Sequence, residues 1–343
     1  MVWNFPRFLF PSVLCFVAVF QSVWLTLFSD ERDEWSALII LFLQLWIYIS
    51  VFRSRSKIRQ LTEDLHRISK MLNVDTIQRK GSLKIYVWVY CLLVTCGNPC
   101  FEVALFNSGM IAHDQHKLLK SEFIPGYLKD HLVAILNGAY AFMILVGNGF
   151  FAALPGYYCF VCCCMKTFFL HFVRKSKILI ARQEYRRILK IYKEMIETMI
   201  MMDNFMSLPI LVSVANILVT LFWLGYSFAF MPSVNSATSI FVAMGFIQYF
   251  MLLQIILPPA AAVNQAAATA RETVLSLPGW FPKRYSIIKM YVRRRFMHKT
   301  ALTLWKIYRI DKSLLISAIG TLISYGILFG TLGSVRNSNN ENQ

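Results

Sequence analysis

The side chains with the most chemical potential are eight cysteines, a pair of histidines and one carboxylate set in apolar sequence. Cys15, Cys91, Cys96, Cys100, Cys159 and Cys162 to Cys164 all lie within or at the ends of apolar windows. Cys159 and Cys162 have the spacing of a metal or redox pair, but no second ligand pair accompanies them, so the thiols read as small apolar filler. None sits in an exposed loop at paired spacing, so no disulfide framework follows. His113 and His116 share an i, i+3 spacing without a helix signal or a third ligand, and read as solvated loop residues. Gly147-Asn-Gly149 lacks the third glycine and the preceding strand of a phosphate-binding loop, and no HExxH occurs. No nucleophile, base and orienting acid assemble. An enzyme, a metal and a cofactor are therefore not expected. Glu102 differs, because a carboxylate at membrane depth is costly and often functional. It lies near the outer end of the third apolar window, three residues past Pro99, where it can serve a site or snorkel to the interface.

These residues must be positioned by elements that suit a bilayer. Of 343 residues 57% are hydrophobic and 15% charged, against about 25% charged in soluble domains. The balance of 35 Lys and Arg against 18 Asp and Glu gives a net charge of +17. Nucleic acid would be one reading of that charge. The basic residues, however, fall in blocks between apolar windows, as cytoplasmic loops do under the positive-inside rule.

Charge-free windows mark the spans: Phe8 to Ser29, Trp35 to Phe52, Ile85 to Phe101, Leu132 to Met165, Asn204 to Ala270, and Ser313 to Val335. The first lacks the short apolar core and small-residue cleavage site of a signal peptide, so it reads as a retained span. The fifth is long enough for two spans, divided at Met231 to Ser239. The fourth holds 34 residues, about 51 Å of helix at 1.5 Å per residue, well beyond a core of about 30 Å. Pro155-Gly156 could turn it into a hairpin, but orientation argues otherwise. Arg53 to Lys84 holds nine basic residues and Arg174 to Lys193 holds eight, so both loops face the cytoplasm. With the third span between them, residues 132–173 cross once. A further eleven basic residues lie between the sixth and last spans. The expectation is an all-α membrane protein of seven transmembrane helices, N-terminus cytoplasmic and C-terminus extracellular.

The inner loops read as helices. Ile58, Leu61, Leu65, Ile68 and Leu72 form an apolar stripe in the first. Ile178, Ala181, Tyr185, Ile188, Tyr192, Met195, Met199 and Met202 alternate at spacings of 3 and 4, a coiled-coil-like seam of one helix. An alanine-rich extension, Ala260 to Leu277, breaks near Pro278 and Pro282 and resumes as a basic helix over Ser286 to Ile310. The fourth, fifth and sixth spans thus extend into the cytosol. The seam suits contact through Ile188, Tyr192 and Met195 with other subunits, or packing among inner helices of one chain.

In the last window Gly326 and Gly330 make a small-xxx-small pattern that lets another helix approach closely. A basic segment, then WKIYRIDKSLL, then GTLISYGILFGTL a few residues from the C-terminus resembles the signature of the arthropod gustatory receptor family. That family carries Thr-Tyr, five apolar residues and Gln-Phe in its last span. Here Ser324-Tyr325 precedes Gly326 to Gly330, and Thr331-Leu332 stands in place of Gln-Phe. Residue-level matching covers Leu302 to Leu332, with agreement in span number, orientation and loop lengths along the rest. The marks of a G-protein-coupled receptor are missing: the orientation is reversed, no Asp-Arg-Tyr closes the third span, and the last span has no proline. No inverted repeat or pair of broken spans points to a transporter.

The resemblance implies a ligand-gated, nonselective cation channel at the plasma membrane. Four subunits, or related partners, would meet at an intracellular anchor, and a small-molecule tastant would open it. Residues 1–173 would hold four spans and the first inner loop, 174–312 the anchor region, and 313–343 the pore span and tail. The implied ligand pocket lies on the outer halves of the second to fourth and sixth spans. Trp46, Asn98, Glu102, Tyr140, Asn148, Tyr157 and Gln248 offer aromatic and polar groups there. Ser324, Tyr325, Leu328, Thr331 and Leu332 would face the ion path, with Gly326 and Gly330 packing one subunit on the next. Basic inner helices could also adhere to anionic membrane lipid.

Overall fold

The computed structural model describes residues 49–73, 129–135, 149–230, 236–297 and 300–321, with isolated positions 42, 43, 46, 47, 125, 138, 323 and 324. Helix α1, Arg55–Leu72, follows the second apolar window, Trp35 to Phe52. Its stripe of Leu61, Leu65, Ile68 and Leu72 is buried, as the spacing predicts, with Ile58 partly buried. It ends at Asn73 in the left-handed conformation, φ 55°. Its last carbonyls would otherwise be orphans. The Lys175 ammonium caps two of them, donating to the carbonyls of Met71 and Leu72 at 3.0 Å each.

Helix α2, Gly149–Ala181, runs 33 residues straight through Pro155, so Pro155-Gly156 does not turn the chain. Helix α3, Tyr185–Phe230, runs 46 residues and α4, Ser236–Trp280, runs 45. At 1.5 Å per residue α3 and α4 are each nearly 70 Å long, more than twice the apolar thickness of a bilayer. By length and composition α2, α3 and α4 can each cross a membrane. The three pack on one another, and α4 buries small residues, Ala260, Ala261, Ala266, Ala267 and Ala270, that let backbones approach closely.

Two expectations about helix continuity are corrected. The seam is not one helix from Ile178 to Met202. Gln183 takes φ 59°. Glu184 N–H donates to the Leu179 carbonyl at 2.9 Å and Gln183 N–H to that of Ile180 at 3.0 Å, a Schellman closure that normally recruits glycine. The chain therefore reverses between α2 and α3.

The second correction concerns Ser286 to Ile310. Helix α5, Tyr285–Phe296, follows a single 3-10 turn, Pro282–Arg284, and stops after 12 residues. Arg271 of α4 caps its end, donating to the carbonyls of Phe296 at 3.3 Å and Met297 at 2.6 Å. Beyond it β1, Thr303–Leu304, pairs antiparallel with β2, Tyr308–Arg309. The turn between them places Trp305 and Lys306 at φ 49° and 60°. Residues 312–321 are again helical.

Candidate functional site

The hairpin is the junction between α5 and the last helix, and Asn264 and Asp203 hold its shape. Asn264, fully enclosed on α4, donates from Nδ2 to the carbonyls of Leu302 at 3.0 Å and Ile310 at 2.7 Å. Its Oδ1 accepts the Leu302 N–H at 2.6 Å. One amide thus ties both ends of the hairpin to α4. On α3, Asp203 Oδ1 accepts the Thr303 N–H at 2.7 Å, and both carboxylate oxygens lie 3.0 Å from the Thr303 hydroxyl. The Trp305 N–H reaches the Ser207 carbonyl at 3.3 Å. Leu302, Leu304 and Ile310 fill the space beneath. These bonds explain why the segment is not helical: its polar backbone is satisfied by α3 and α4 instead of by itself.

Asp311 then starts the last helix. Its Oδ1 accepts from the Ser313 hydroxyl at 2.7 Å and the Leu314 N–H at 3.0 Å, which holds its carboxyl below the usual range. This is an N-cap arrangement. From there the chain changes character. No described side chain between 312 and 324 is buried, and Ile316 is 72% exposed.

The seam residues have the opposite fate. Ile188, Tyr192 and Met195 are 0%, 2% and 0% exposed within a single chain. The Tyr192 ring lies 5.6 Å from that of Phe172 on α2 and 5.0 Å, edge-on, from that of Phe296 on α5. In this chain these side chains pack α3 against α2 and α5. Arg67 reaches from α1 to Glu194 at 3.8 Å, and Arg295 from α5 to Glu197 at 3.5 Å, both on α3. Such exposed pairs add little beyond register.

A family model described as the 7tm chemosensory receptor matches residues 35–329. The chain belongs to that family. This chemosensory receptor is similar in fold to the insect olfactory receptor OR5 from Machilis hrabei, with a TM-score of 0.59 at 10% identity over 92% of this chain and 87% of that one. Against the same receptor in complex with eugenol the TM-score is 0.65 at 10% identity, over 94% and 88%. No curated protein matches the receptor in sequence. The resemblance to arthropod chemoreceptors drawn from the last span is borne out at the level of this chemosensory receptor family.

Of the receptor's expected ligand-site residues, Trp46, Tyr157 and Gln248 fall among the described residues. Tyr157 reaches α1: its hydroxyl donates to the Ile58 carbonyl at 3.3 Å and lies 3.3 Å from the Thr62 hydroxyl. It therefore belongs to the end of the bundle that carries the basic loop. Trp46 lies on the surface, 37% exposed, and Gln248 is buried on α4. Asn98, Glu102, Tyr140 and Asn148 lie outside the described residues, as do Tyr325, Gly326, Leu328, Gly330, Thr331 and Leu332. Ser324 is helical and exposed. Cys159, Cys162 and Cys164 are buried free thiols in the apolar core.

Sequence reasoning missed Asp203, Asn264 and Asn216. The last is fully enclosed on α3, and neither atom of its side-chain amide meets a hydrogen-bond partner among the described residues. An unpaired buried amide costs about 1–3 kcal/mol. The available signal was an isolated asparagine in a long window otherwise free of charge. Asn216 and Asn264 both fit it.

Proposed function

We propose that this receptor is a ligand-gated, nonselective cation channel of four subunits in the plasma membrane. Its N-terminus is cytoplasmic, and a small organic tastant opens it. The observation that carries this reading is the last helix. Its described part has no charge beyond Lys312, and its own chain covers it only partly, at Leu314 and Leu315 near its start, leaving Ile316 and Ile323 exposed. A face of that kind meets lipid or the same helix of other subunits. Gly326 and Gly330 then permit close approach between symmetry mates. A window without Asp or Glu cannot form a carboxylate ring, so discrimination among cations is loose. Leu328 and Leu332 close the path by dewetting, with Ser324, Tyr325 and Thr331 beside them.

A mostly apolar pocket with few polar anchors suits the ligand. Among the residues expected there, Gln248 on α4 and Asn98, Glu102, Tyr140 and Asn148 are kept. The neighbour bound to eugenol supports a small organic molecule as the ligand class. Nearly 70 Å of α3 and of α4 leaves the length needed for an intracellular anchor made by residues 174–312.

The test is electrical. Cells expressing only this chain, without added G proteins, should pass cation current within milliseconds of application of an active tastant. A response that appears only through G-protein signalling would remove the channel, and an N-terminal tag accessible on intact cells would remove the orientation.

A further inference from the structure

At the tip where α2 turns into α3 and α4 into α5, an open cleft of about 820 Å³ is lined by Tyr185, Arg186, Arg187, Lys283, Arg284 and Glu184, among others. Four cations face one carboxylate, and that carboxylate is engaged by Arg187 at 3.2 Å. The other two arginines share a single neutral group: Arg284 Nη1 donates to the Tyr185 hydroxyl at 2.6 Å, and Arg186 Nε donates to the same oxygen at 3.3 Å. Arg284 also stands 5.3 Å from the centre of that ring. Two guanidinium groups are thus drawn to one phenol without a negative charge between them.

The helices sharpen this imbalance. The first turns of α3 and α5 contain no acidic residue, although the positive end of a helix dipole favours one. Arg186 and Arg187 occupy the first turn of α3, and Lys283 and Arg284 stand immediately before α5. Positive side chains and positive dipole ends therefore converge on one concavity. An anion with several phosphate groups reverses every one of these repulsions, and guanidinium groups suit phosphate oxygens in particular. The volume lies within the usual range for small-molecule sites.

We propose that this cleft binds a soluble polyphosphate anion of the inositol polyphosphate or nucleoside triphosphate class. Depth favours a soluble ligand over a lipid headgroup. In the orientation proposed above Lys166 marks the inner membrane edge, and α2 continues for fifteen residues to Ala181, about 22 Å at 1.5 Å per residue. The interfacial layer of a bilayer extends only about 5–8 Å beyond the apolar core. The assignment of the tip to the cytosol rests on that orientation, whereas the binding measurement does not.

The experiment uses the purified full-length receptor in phosphatidylcholine nanodiscs, titrated calorimetrically with inositol hexakisphosphate and separately with ATP at two salt concentrations. Saturable, salt-sensitive binding of one anion per chain is expected for at least one of them. Arg186→Gln with Arg284→Gln should weaken it at least tenfold, and Lys283→Gln alone, at an exposed site, about threefold. Arg293→Gln with Arg294→Gln removes the same charge from elsewhere on α5 and should change affinity less than twofold. The proposal is overturned if neither anion saturates, or if the two double variants lose affinity equally. It is also overturned if binding appears only in nanodiscs containing a phosphoinositide. Should the cleft double variant fail to elute like wild type, Lys283→Gln decides by itself. Current is not measured, so failure here leaves the channel reading untouched, and a receptor that passes no current can still bind.

Discussion

The end of the bundle that holds α5 and the hairpin is packed differently from the last helix, although the two are joined directly at Asp311. Around α5 and the hairpin one face, Ile288, Val292, Phe296, Leu302, Leu304 and Ile310, is buried by the same chain while Ile287, Met290, Ile307 and Tyr308 stay exposed, and the irregular backbone is tied to α3 and α4 by Asp203, Asn264 and Arg271. Past Asp311 no described side chain is buried: Leu314 and Leu315 are partly covered by the core, and Ile316 and Ile323 stand exposed. A segment completed within one subunit can act as a scaffold. One left incomplete needs neighbours, and gains from them the freedom to rearrange when they move. The hairpin joins the two and is held to α3 by Asp203 and to α4 by Asn264.

The largest expected effect comes from attacking the completed side. Ile188→Asp or Met195→Asp places a charge at a fully enclosed position between α2, α3 and α5, at a cost of several kcal/mol. Folded receptor should fall to a small fraction of wild type in a detergent-solubilised size-exclusion profile. If monomeric subunits instead survive intact and only the oligomer is lost, the seam joins subunits after all, and the contrast drawn here collapses.

The uncovered side should respond differently. Thr331→Lys or Leu328→Lys leaves the inner scaffold untouched, so surface expression should persist. In the proposed tetramer the four added charges around one axis should nonetheless remove most of the cation current. Variants with normal conductance and selectivity would place the ion path elsewhere.

Third in size is the clamp itself. Asn264→Ala strips partners from the Leu302 N–H and the Ile310 carbonyl, about 1–3 kcal/mol for each buried group left unpaired. Gln265→Ala, one residue along on the exposed face of α4, should change stability by less than about 0.5 kcal/mol. Thermal unfolding of the purified receptor measures both. Equal midpoints for the two variants would mean the hairpin holds its shape without α4.

How much of this was readable beforehand depended on the range of the interaction responsible. The stripe from Ile58 to Leu72 and the passage of α2 through Pro155 were legible because periodicity and loop charge act locally. The Schellman turn at Gln183 and the bend at Trp305-Lys306 were not, since neither uses the glycine or asparagine that usually marks a left-handed residue. The hairpin was hidden for a further reason. Leu302 is satisfied by a residue 38 positions away and Thr303 by one 100 positions away, so no window of sequence contains both partners. Tyr157 shows the same limit: its aromatic ring suits a ligand pocket, yet its hydroxyl is taken by α1. The seam illustrates another, because an apolar stripe reads the same whether another chain or its own covers it.

The smallest effect expected is at Thr303, and it tests whether α3 contributes to the junction independently of α4. Its hydroxyl donates to Asp203 and also accepts the Lys306 N–H at 3.1 Å, tying the strand and the turn to one carboxylate. Thr303→Val keeps the shape and removes both bonds, while the Thr303 N–H still reaches Asp203. A hydrogen bond to a charged acceptor is worth about 1.5–3 kcal/mol, and the half-buried site puts the loss toward the lower end. Thr303→Ser retains the hydroxyl and should stay near wild type apart from the lost methyl group. If α3 and α4 hold the hairpin separately, the losses in Thr303→Val and Asn264→Ala should add within about 0.5 kcal/mol in the double variant. Strong non-additivity would show that the two clamps act as one unit. Ligand dose–response curves on the same variants carry the argument to function: a looser junction should shift apparent potency, whereas unchanged curves for both variants would mean that the hairpin fixes structure without transmitting motion to the last helix.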